Sequence, residues 1–253
     1  MKLNQILLLV ISSVACLFSH AGVLWQEYQY KNVKFDVVEV DEFHKLHLFL
    51  NDQQQRPLIN FKALSQQLLP CERLGFAMNA GMFHVDYRPV GLYVEKSIEK
   101  NALNNVTEGF GNFFMQPNGV LAWNGSQAHI MTTWRFQTQK MTYDYATQSG
   151  PMLLHDGKIN SQFIPDSDSR KIRNAVGLAK GKLYFVMSQQ AVNFYDLAMF
   201  MQKMLKAEQA LYLDGGSVPS IYVAQANILR EGRAMGPMLA YINNEQCLKA
   251  DVK

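Results

Sequence analysis

The sequence predicts one α+β domain built on a large, mostly antiparallel sheet, with one or two helices covering a face. Three observations lead to this prediction. Short runs of strand character are spread along all 253 residues, only two stretches show helical periodicity, and no repeat, linker or low-complexity tract divides the chain. Hydrophobic residues form 48% of the chain, which is enough to fill the core of one large domain.

The first 21 residues have the pattern of a secretory signal peptide. Lys2 supplies a positive start, residues 6–14 an apolar segment, and Ser19-His20-Ala21 a small-x-small cleavage site. Cleavage there would begin the mature domain, residues 22–253, in the periplasm or outside the cell. A second interpretation is that Cys16 becomes a lipid-modified N-terminal residue. The position three residues before it is a serine, whereas lipoprotein signal peptides usually have leucine there. The apolar segment is short for a membrane span, and no other segment resembles one.

Cys71 and Cys247 remain after removal of the signal peptide and predict a disulfide. An even pair of cysteines in an oxidising compartment usually forms one. The bond would join a segment early in the fold to the C-terminal tail. The alternative is a pair of buried cysteines with free thiols.

The first part of the domain predicts two strands and a helix. Val33–Val37 alternates apolar and polar residues, and Leu46–Leu50 follows after a polar break, so the two predict a hairpin or meander. Asn60 is a candidate N-cap for a helix over Phe61–Leu69, whose apolar residues share one face, and Pro70 ends it.

The middle of the chain alternates short strands with turn residues. Gly75–Phe83 is a strand-to-glycine transition, with Asn79 at the end of the strand. A turn at Arg88–Leu92 leads into another strand. Further short strands flank the turn Pro117-Asn118-Gly119, and His129–Thr132 predicts one more.

The last part of the chain predicts a strand–helix–strand unit. Ala175–Leu178 and Leu183–Met187 have strand character. Asp196 is a candidate cap for an amphipathic helix whose apolar residues recur at i, i+3, i+4, i+7 and i+8 from Leu197. The helix leads to the apolar run Leu211–Leu213, so we expect a parallel crossover here.

The main candidate for a functional site is the stretch in which the run Ala210–Leu213 ends in Asp214-Gly215-Gly216-Ser217. A carboxylate, two glycines and a hydroxyl then stand at the edge of a buried core. Glycine lets the backbone turn sharply or approach a ligand closely. The structural alternative is a strand-ending turn, because Asp-Gly and Gly-Gly are common turn dipeptides.

Composition and spacing argue against several other function classes. The net charge of +3 is too small to indicate nucleic acid or an anionic membrane as the main partner. The six histidines lack metal-binding spacing, so neither a metal hydrolase nor a cofactor is predicted. Ser149 lacks the Gly-x-Ser-x-Gly surround of a serine-hydrolase nucleophile.

Five short motifs occur in one order between Gly75 and Val223, namely Met78-Asn79-Ala80-Gly81-Met82-Phe83, Pro89-Val90-Gly91-Leu92, Gln148-Ser149-Gly150-Pro151-Met152-Leu153, Arg173-Asn174-Ala175-Val176-Gly177 and Leu213-Asp214-Gly215-Gly216-Ser217. In this order they resemble the phosphodiester glycosidase family. Three motifs depart from the usual form. The family's Asn-Gly-Gly-Phe-Phe and Arg-Thr-Ala read Asn-Ala-Gly-Met-Phe and Arg-Asn-Ala here, and the final motif continues into Val218-Pro219 rather than a further Gly-Ser. The departures are typical of a bacterial, exported branch and leave the substrate open.

The resemblance implies hydrolysis of a sugar-1-phosphodiester, with a carbohydrate or sugar phosphate as the substrate. In that chemistry a carboxylate stabilises or attacks the oxocarbenium-like carbon, or activates water. Asp214 is the predicted carboxylate. Arg173 is the predicted phosphate ligand, because its planar fork matches two phosphate oxygens. The alternative for Arg173 is a surface ion pair with Asp166 or Asp168.

Other residues of the motifs are predicted to surround that pair with hydrogen-bonding groups. They are Asn79 as a third catalytic residue, the hydroxyls of Ser149 and Ser217, the N–H groups of Gly150, Gly215 and Gly216, and Glu95 as a candidate second carboxylate. The structural alternative is that Asn79 and Asp214 only cap strand ends. The alternative function is non-catalytic, namely binding of envelope polysaccharide as an accessory to its assembly or export.

Overall fold

The computed structural model of the protein describes residues 22–139, 141–244 and 246–247. The predicted signal peptide and the lipid site at Cys16 lie outside these residues and stay predictions. Across the described ranges, none of the helices combines the length and the hydrophobicity needed to cross a bilayer.

Strands supply most of the regular structure in the described part of the chain. In chain order they are β1 (Val23–Tyr30), β2 (Val33–Val40), β3 (Leu46–Phe49), β4 (Arg73–Asn79), β5 (Tyr93–Glu95), β6 (Ile98–Asn101), β7 (Gly119–Trp123), β8 (Ala128–Thr132), β9 (Tyr145–Ser149), β10 (Met152–His155), β11 (Lys158–Ile159), β12 (Arg173–Ala179), β13 (Lys182–Ser188), β14 (Gln209–Gly215), β15 (Ile221–Val223), β16 (Ile228–Arg230) and β17 (Met238–Asn243).

Within the described residues these strands form three sheets. The first sheet has seven strands in the order β1-β2-β13-β12-β14-β10-β11. The second sheet has the order β16-β15-β4-β17-β3, and the third has the order β6-β5-β9-β7-β8. All paired neighbours run antiparallel. The α+β class and the antiparallel preference are therefore confirmed, and the strands divide among three sheets where one large sheet was expected.

The predicted crossover is present in modified form. Strands β13 and β14 both pair antiparallel with β12, so they run parallel to each other on its two sides. The connection between them contains the helix α3 (Phe194–Lys203). A helical connection is needed because the chain must return to the same end of the sheet before it starts the second strand.

The helices are short and begin at asparagine or threonine caps. Asn60 caps α1 (Phe61–Ser65), with its side chain accepting from the Ala63 N–H at 2.8 Å, so the predicted cap is confirmed and the helix ends earlier than expected. A further short helix, α2 (Thr133–Thr138), was not predicted.

The predicted cap of α3 is wrong by one turn. Asn193 is the N-cap, and its side chain accepts from the Asp196 N–H at 2.8 Å. Asp196 instead lies in the first turn, where a negative charge also favours the helix. The amphipathic pattern itself is correct, because Leu197, Phe200 and Met201 are fully buried.

The predicted hairpin of β2 and β3 does not form. Strand β2 pairs with β1 and β13 in the first sheet, whereas β3 pairs with β17 in the second. A preceding strand, Val23–Tyr30, takes the hairpin position, and its register runs from Val23 opposite Val40 to Tyr30 opposite Val33.

The main core lies where the three sheets meet. Phe76 of the second sheet, Leu121 of the third and Phe185 of the first are fully buried in one cluster. The other face of the first sheet packs against α3, where Phe35 stacks on Phe200 with ring centroids 4.0 Å apart. The first sheet is therefore covered on both faces, and the ends of its strands lie at the edge of the core.

The predicted disulfide is confirmed. Cys71 and Cys247 are bonded, with their Cα atoms 5.0 Å apart and a sequence separation of 176. The bond joins the segment that leads into β4 to the chain that follows β17, and these two strands are neighbours in the second sheet.

Candidate active site

Asp214 lies at the end of β14, next to an irregularity in the sheet. Asn174 is opposite Asp214, but the next residue of β12, Ala175, is opposite Tyr212. Leu213 is therefore an extra residue in β14, which makes a β-bulge beside the acid. Such bulges end regular pairing and are common near active sites.

The carboxylate of Asp214 lies in a poorly solvated position. One oxygen, Oδ1, accepts the N–H of Gly215 at 2.7 Å. Burial raises the pKa of Asp214 to about 7, although the Gly215 N–H favours the ionised form and opposes the shift. An acid with this pKa is poised to change protonation near neutral pH, which is a property of catalytic carboxyl groups.

A buried pair of amides holds the backbone of Asp214. Asn174 Oδ1 accepts the Asp214 N–H at 2.8 Å, and Asn174 Nδ2 donates to Asn79 Oδ1 at 2.7 Å. Asn79 Oδ1 also accepts the Ser220 N–H at 3.0 Å. Both asparagines are fully buried. Asn79, which the sequence predicts as catalytic, thus lies behind the acid and joins the second sheet to the first.

Replacing Asn174 with alanine should weaken both stability and activity. The change leaves the Asp214 N–H and the Asn79 amide without their partner in a buried site, so we expect the free energy of unfolding to fall by about 2–4 kcal/mol. The turnover number kcat should fall at least about tenfold, because the backbone of the acid loses its anchor. Urea unfolding and a sugar-release assay measure the two effects.

Asn32→Ala is a suitable control for that experiment, since Asn32 is exposed in the turn between β1 and β2. It should change stability by less than about 0.5 kcal/mol. Unfolding of Asn174→Ala at the wild-type urea midpoint would show that the amide pair does not stabilise the fold.

Ser149 supports the same strand end from the third sheet. Its hydroxyl donates to the Leu213 carbonyl at 2.9 Å, and its side chain is fully buried. The preceding Gln148 accepts the N–H groups of Leu92 and Asn104 through Oε1 at 3.0 and 2.9 Å. The structure therefore places the Gln148-Ser149 pair in the supporting wall and not in front of Asp214.

The two glycines after Asp214 are required by close contacts and backbone conformation. A Cβ at Gly215 would collide with the Tyr212 hydroxyl, and Gly216 has a φ of +80°, in the left-handed region. Their N–H groups already have acceptors, namely Asp214 Oδ1 for Gly215 and the Ile172 carbonyl, at 2.9 Å, for Gly216. They shape the turn rather than offering free donors to a phosphate.

Two other predicted binding residues have different surroundings. Gly150 packs against Asn118 and the Phe113 carbonyl, so it lies within the wall behind the cleft. Ser217 is exposed, and its carbonyl accepts the Arg233 N–H at 2.6 Å.

Arg173 is buried on the other side of the first sheet and is only 1% exposed. Its Nε donates to the Val192 carbonyl and its Nη2 to the Ser169 carbonyl, both at 2.9 Å. The guanidinium also lies 3.8 Å from the centre of the Phe194 ring. These contacts hold the guanidinium inside the protein, away from the side of the sheet where Asn174 meets Asn79.

The alternation of side chains along a strand explains this placement. Arg173 and Asn174 are consecutive in β12, so they point to opposite faces. Arg173 remains linked to the site indirectly, because its Nη1 donates to the Tyr212 hydroxyl at 3.2 Å, and that hydroxyl also contacts the Asn112 side chain. Burial raises the pKa of Tyr212, so Tyr212 stays a neutral phenol between the Arg173 and Asn112 side chains.

Glu95 lies in the third sheet and is engaged elsewhere. Its Oε2 accepts the Tyr93 hydroxyl and its Oε1 pairs with Lys100 Nζ, both at 2.9 Å. It is not among the residues that line the cavity around Asp214. The structure therefore does not bring Glu95 and Asp214 together as a carboxylate pair.

Asp214 lines a cavity of about 530 Å³ whose walls are largely apolar and include four phenylalanines. We call it the aromatic cleft. Its lining residues are Met82, Phe83, His84, Val85, Val90, Asn104, Phe110, Gly111, Asn112, Phe113, Phe114, Asp214 and Val218. At its rim, the Phe110 and Val85 side chains are fully exposed. Rings beside a carboxylate suit a sugar, whose apolar face stacks on an aromatic ring.

Sequence reasoning missed several of these residues. Asn174 was noted only as a departure from a motif, although an amide inside an apolar strand indicates a buried polar partner. The cluster Phe110-Gly111-Asn112-Phe113-Phe114 has the pattern of a short strand, and its unusual density of aromatic rings was the signal that could have identified it as a cavity wall.

Among the described residues, no group of three or more His, Cys, Asp or Glu side chains is arranged to hold a metal ion.

Comparison with known proteins adds family and fold relatives. The protein is 46% identical over 140 residues to "Uncharacterized protein YigE" of Escherichia coli (strain K12), a match that covers 55% of this chain and 54% of that protein. The chain thus spans about half the length of the curated relative that it matches.

Solved structures share the fold at low sequence identity. The catalytic domain of zebrafish N-acetylglucosamine-1-phosphodiester alpha-N-acetylglucosaminidase, auto-inhibited by its pro-peptide, matches with a TM-score of 0.57 at 16% identity, over 87% of this chain and 81% of that one. A hypothetical protein from Synechocystis matches with a TM-score of 0.55 at 14% identity, over 87% and 62%. A putative exported protein from Burkholderia pseudomallei matches with a TM-score of 0.50 at 12% identity, over 82% and 73%.

The family model described as "Phosphodiester glycosidase" matches residues 72–245, which is more than half of the chain. That range contains β4 and β14 and therefore the whole of the site around Asp214. The chain belongs to the phosphodiester glycosidase family.

Proposed function

We propose that the protein is an exported glycosidase that hydrolyses a sugar-1-phosphodiester, with Asp214 as the catalytic carboxylate. The observation that carries the proposal is the position of Asp214, which lines the aromatic cleft and whose carboxyl group has a pKa raised to about 7. Family membership supports the reaction type, and the predicted signal peptide supports export.

The chemistry of the substrate explains why one carboxylate is enough. The bond between the anomeric carbon and the phosphate oxygen breaks, and the leaving phosphate monoester is a weak base that needs little help from an acid. Positive charge then develops on the sugar ring, and an ionised Asp214 stabilises it or accepts a proton from the attacking water. Water supplies the hydroxyl of the released sugar.

The remaining predicted residues take supporting roles in this proposal. Asn79 and Ser149 hold the strand end that carries the acid, through Asn174 and the Leu213 carbonyl. Arg173 receives no direct contact with the phosphate, because its guanidinium is buried behind the sheet.

The test is a release assay on a panel of sugar-1-phosphodiesters that differ in the sugar, the anomeric configuration and the alcohol. Free reducing sugar is measured with and without enzyme. Release from at least one member supports the proposal. Binding of polysaccharide without release from any member would overturn it and favour the non-catalytic accessory function.

The pH dependence follows from the role given to Asp214. The reaction requires the ionised carboxylate, and the pKa of this group is raised to about 7, so the acid is mostly protonated and inactive below that pH. We expect kcat/KM to rise between pH 5 and 8 with an apparent pKa of about 7. A rate that instead falls above pH 7 would assign Asp214 as a proton donor.

A further inference from the structure

A second cavity of about 570 Å³ adjoins the aromatic cleft. The two cavities share His84, Val90 and Asn104 as lining residues, so they lie side by side, and we call the pair the groove. We call the second cavity the polar pocket. Its lining residues are His84, Arg88, Pro89, Val90, Asn101, Ala102, Leu103, Asn104, Asn105 and Val106.

Hydrogen bonds fix the two walls of the polar pocket relative to each other. Asn101 Nδ2 donates to the Pro89 and Gly91 carbonyls at 3.2 and 2.7 Å. Asn104 Nδ2 donates to the Val90 carbonyl at 3.0 Å. The Asn104 carbonyl in turn accepts from Gln148 Nε2 at 2.8 Å, which ties the outer wall to the third sheet. The pocket is therefore formed before a ligand arrives.

The charged lining of the polar pocket is cationic. Arg88 lines it, and no carboxylate is among the lining residues that the structure describes. Asp86, on the same turn, accepts Arg88 Nε at 2.6 Å and the Arg88 N–H at 3.1 Å. The His84 N–H donates to the Arg88 carbonyl at 2.8 Å and closes the turn. The contact with Asp86 is made by Nε and orients the guanidinium. The two Nη groups of an arginine form the planar fork that suits two phosphate oxygens.

We propose that the polar pocket binds the phosphoryl group of the substrate, with Arg88 as the phosphate-binding residue and His84 beside it, while the sugar lies in the aromatic cleft against Asp214. This inference rests on the proposed function. It divides the groove according to the substrate, which has an uncharged ring with an apolar face on one side of the scissile bond and an anion on the other.

The experiment compares Arg88→Ala with Arg56→Ala. The two arginines are matched, because their side chains are 72% and 74% exposed and each pairs with a nearby aspartate, Asp86 or Asp52. We expect Arg88→Ala to raise KM for the best phosphodiester of the panel about tenfold and to change kcat less than threefold. Arg56→Ala should leave both within twofold. A neutral aryl glycoside of the same sugar should show no difference in KM between the variants.

A binding measurement separates this inference from the proposed reaction. Inorganic phosphate is titrated into the wild type and both variants and followed by isothermal calorimetry. Weaker phosphate binding in Arg88→Ala alone, by at least about fivefold, supports the subsite even if no phosphodiester is hydrolysed. Hydrolysis with an unchanged KM and unchanged phosphate affinity in Arg88→Ala would overturn the subsite and leave the proposed function intact.

Discussion

Asp214→Asn is expected to reduce kcat on a sugar-1-phosphodiester by at least about a thousandfold while the protein stays folded. The amide has the same shape as the carboxyl group, and its Oδ1 can still accept the Gly215 N–H, so the turn after β14 is preserved. It cannot ionise, and therefore it neither stabilises positive charge on the sugar ring nor accepts a proton from water.

The same substitution should make the protein more stable above neutral pH. The pKa of Asp214 is raised to about 7 from an ordinary value of 3.8, so folding must suppress ionisation of this group. The resulting cost is absent below about pH 4, grows between pH 4 and 7, and is complete above that range. Asparagine carries no such cost. We expect the free energy of unfolding of Asp214→Asn to exceed that of the wild type by up to about 4 kcal/mol at pH 8, and to match it at pH 4.

Thermal unfolding at pH 4 and pH 8, together with the release assay, measures both effects. Asp166→Asn is the matched control, because Asp166 is exposed in a loop and should alter neither activity nor the pH dependence of stability. Turnover within tenfold of the wild type in Asp214→Asn would remove Asp214 from the mechanism. Equal stability of the two proteins at pH 8 would show that the carboxylate is better solvated than the structure indicates.

Removal of the disulfide should have the largest effect on stability. Replacing Cys71 and Cys247 with serine frees a loop of 176 residues in the unfolded chain, and the chain-entropy model sets the loss at up to about 5 kcal/mol. A domain with ordinary stability of about 5–15 kcal/mol would then be marginal at 37 °C. Guanidinium unfolding of the oxidised wild type and the double variant gives the difference directly.

Two comparisons make that measurement specific. The wild type unfolded in excess dithiothreitol should match the double serine variant, because both lack the bond. If the oxidised wild type and the variant unfold at the same denaturant concentration, the disulfide does not stabilise the fold.

Local chemistry made several features predictable from the sequence. The Asn60 cap, the amphipathic helix after residue 193 and the strand that ends at Asp214 all follow from residues close together in the chain. The disulfide followed from the number of cysteines and the predicted oxidising compartment. Each of these features depends on a few neighbouring residues or on composition. Local sequence and composition are the same however the sheets are arranged.

Long-range pairing limited the rest of the prediction. Strands β2 and β3 are adjacent in sequence, yet their partners β13 and β17 lie far along the chain, so no local pattern assigns them to different sheets. The aromatic cleft draws on three segments, around Met82, Phe113 and Asp214, and its shape depends on their meeting. The displacement of Arg173 was predictable in part, because Arg173 and Asn174 alternate along one strand and cannot both face the same cavity.

Hydrogen bonds from all three sheets hold the end of β14 that carries Asp214. Asn174 reaches it from the neighbouring strand β12, Asn79 holds Asn174 from β4, and Ser149 holds the Leu213 carbonyl from β9. In the proposed mechanism, catalytic competence is therefore a property of the completed domain, and a fragment that lacks one sheet also lacks one of these supporting hydrogen bonds. In the exported hydrolase proposed above, such an arrangement would keep the nascent or partly assembled polypeptide inert, and sugar phosphodiesters inside the cell would be spared until assembly is finished.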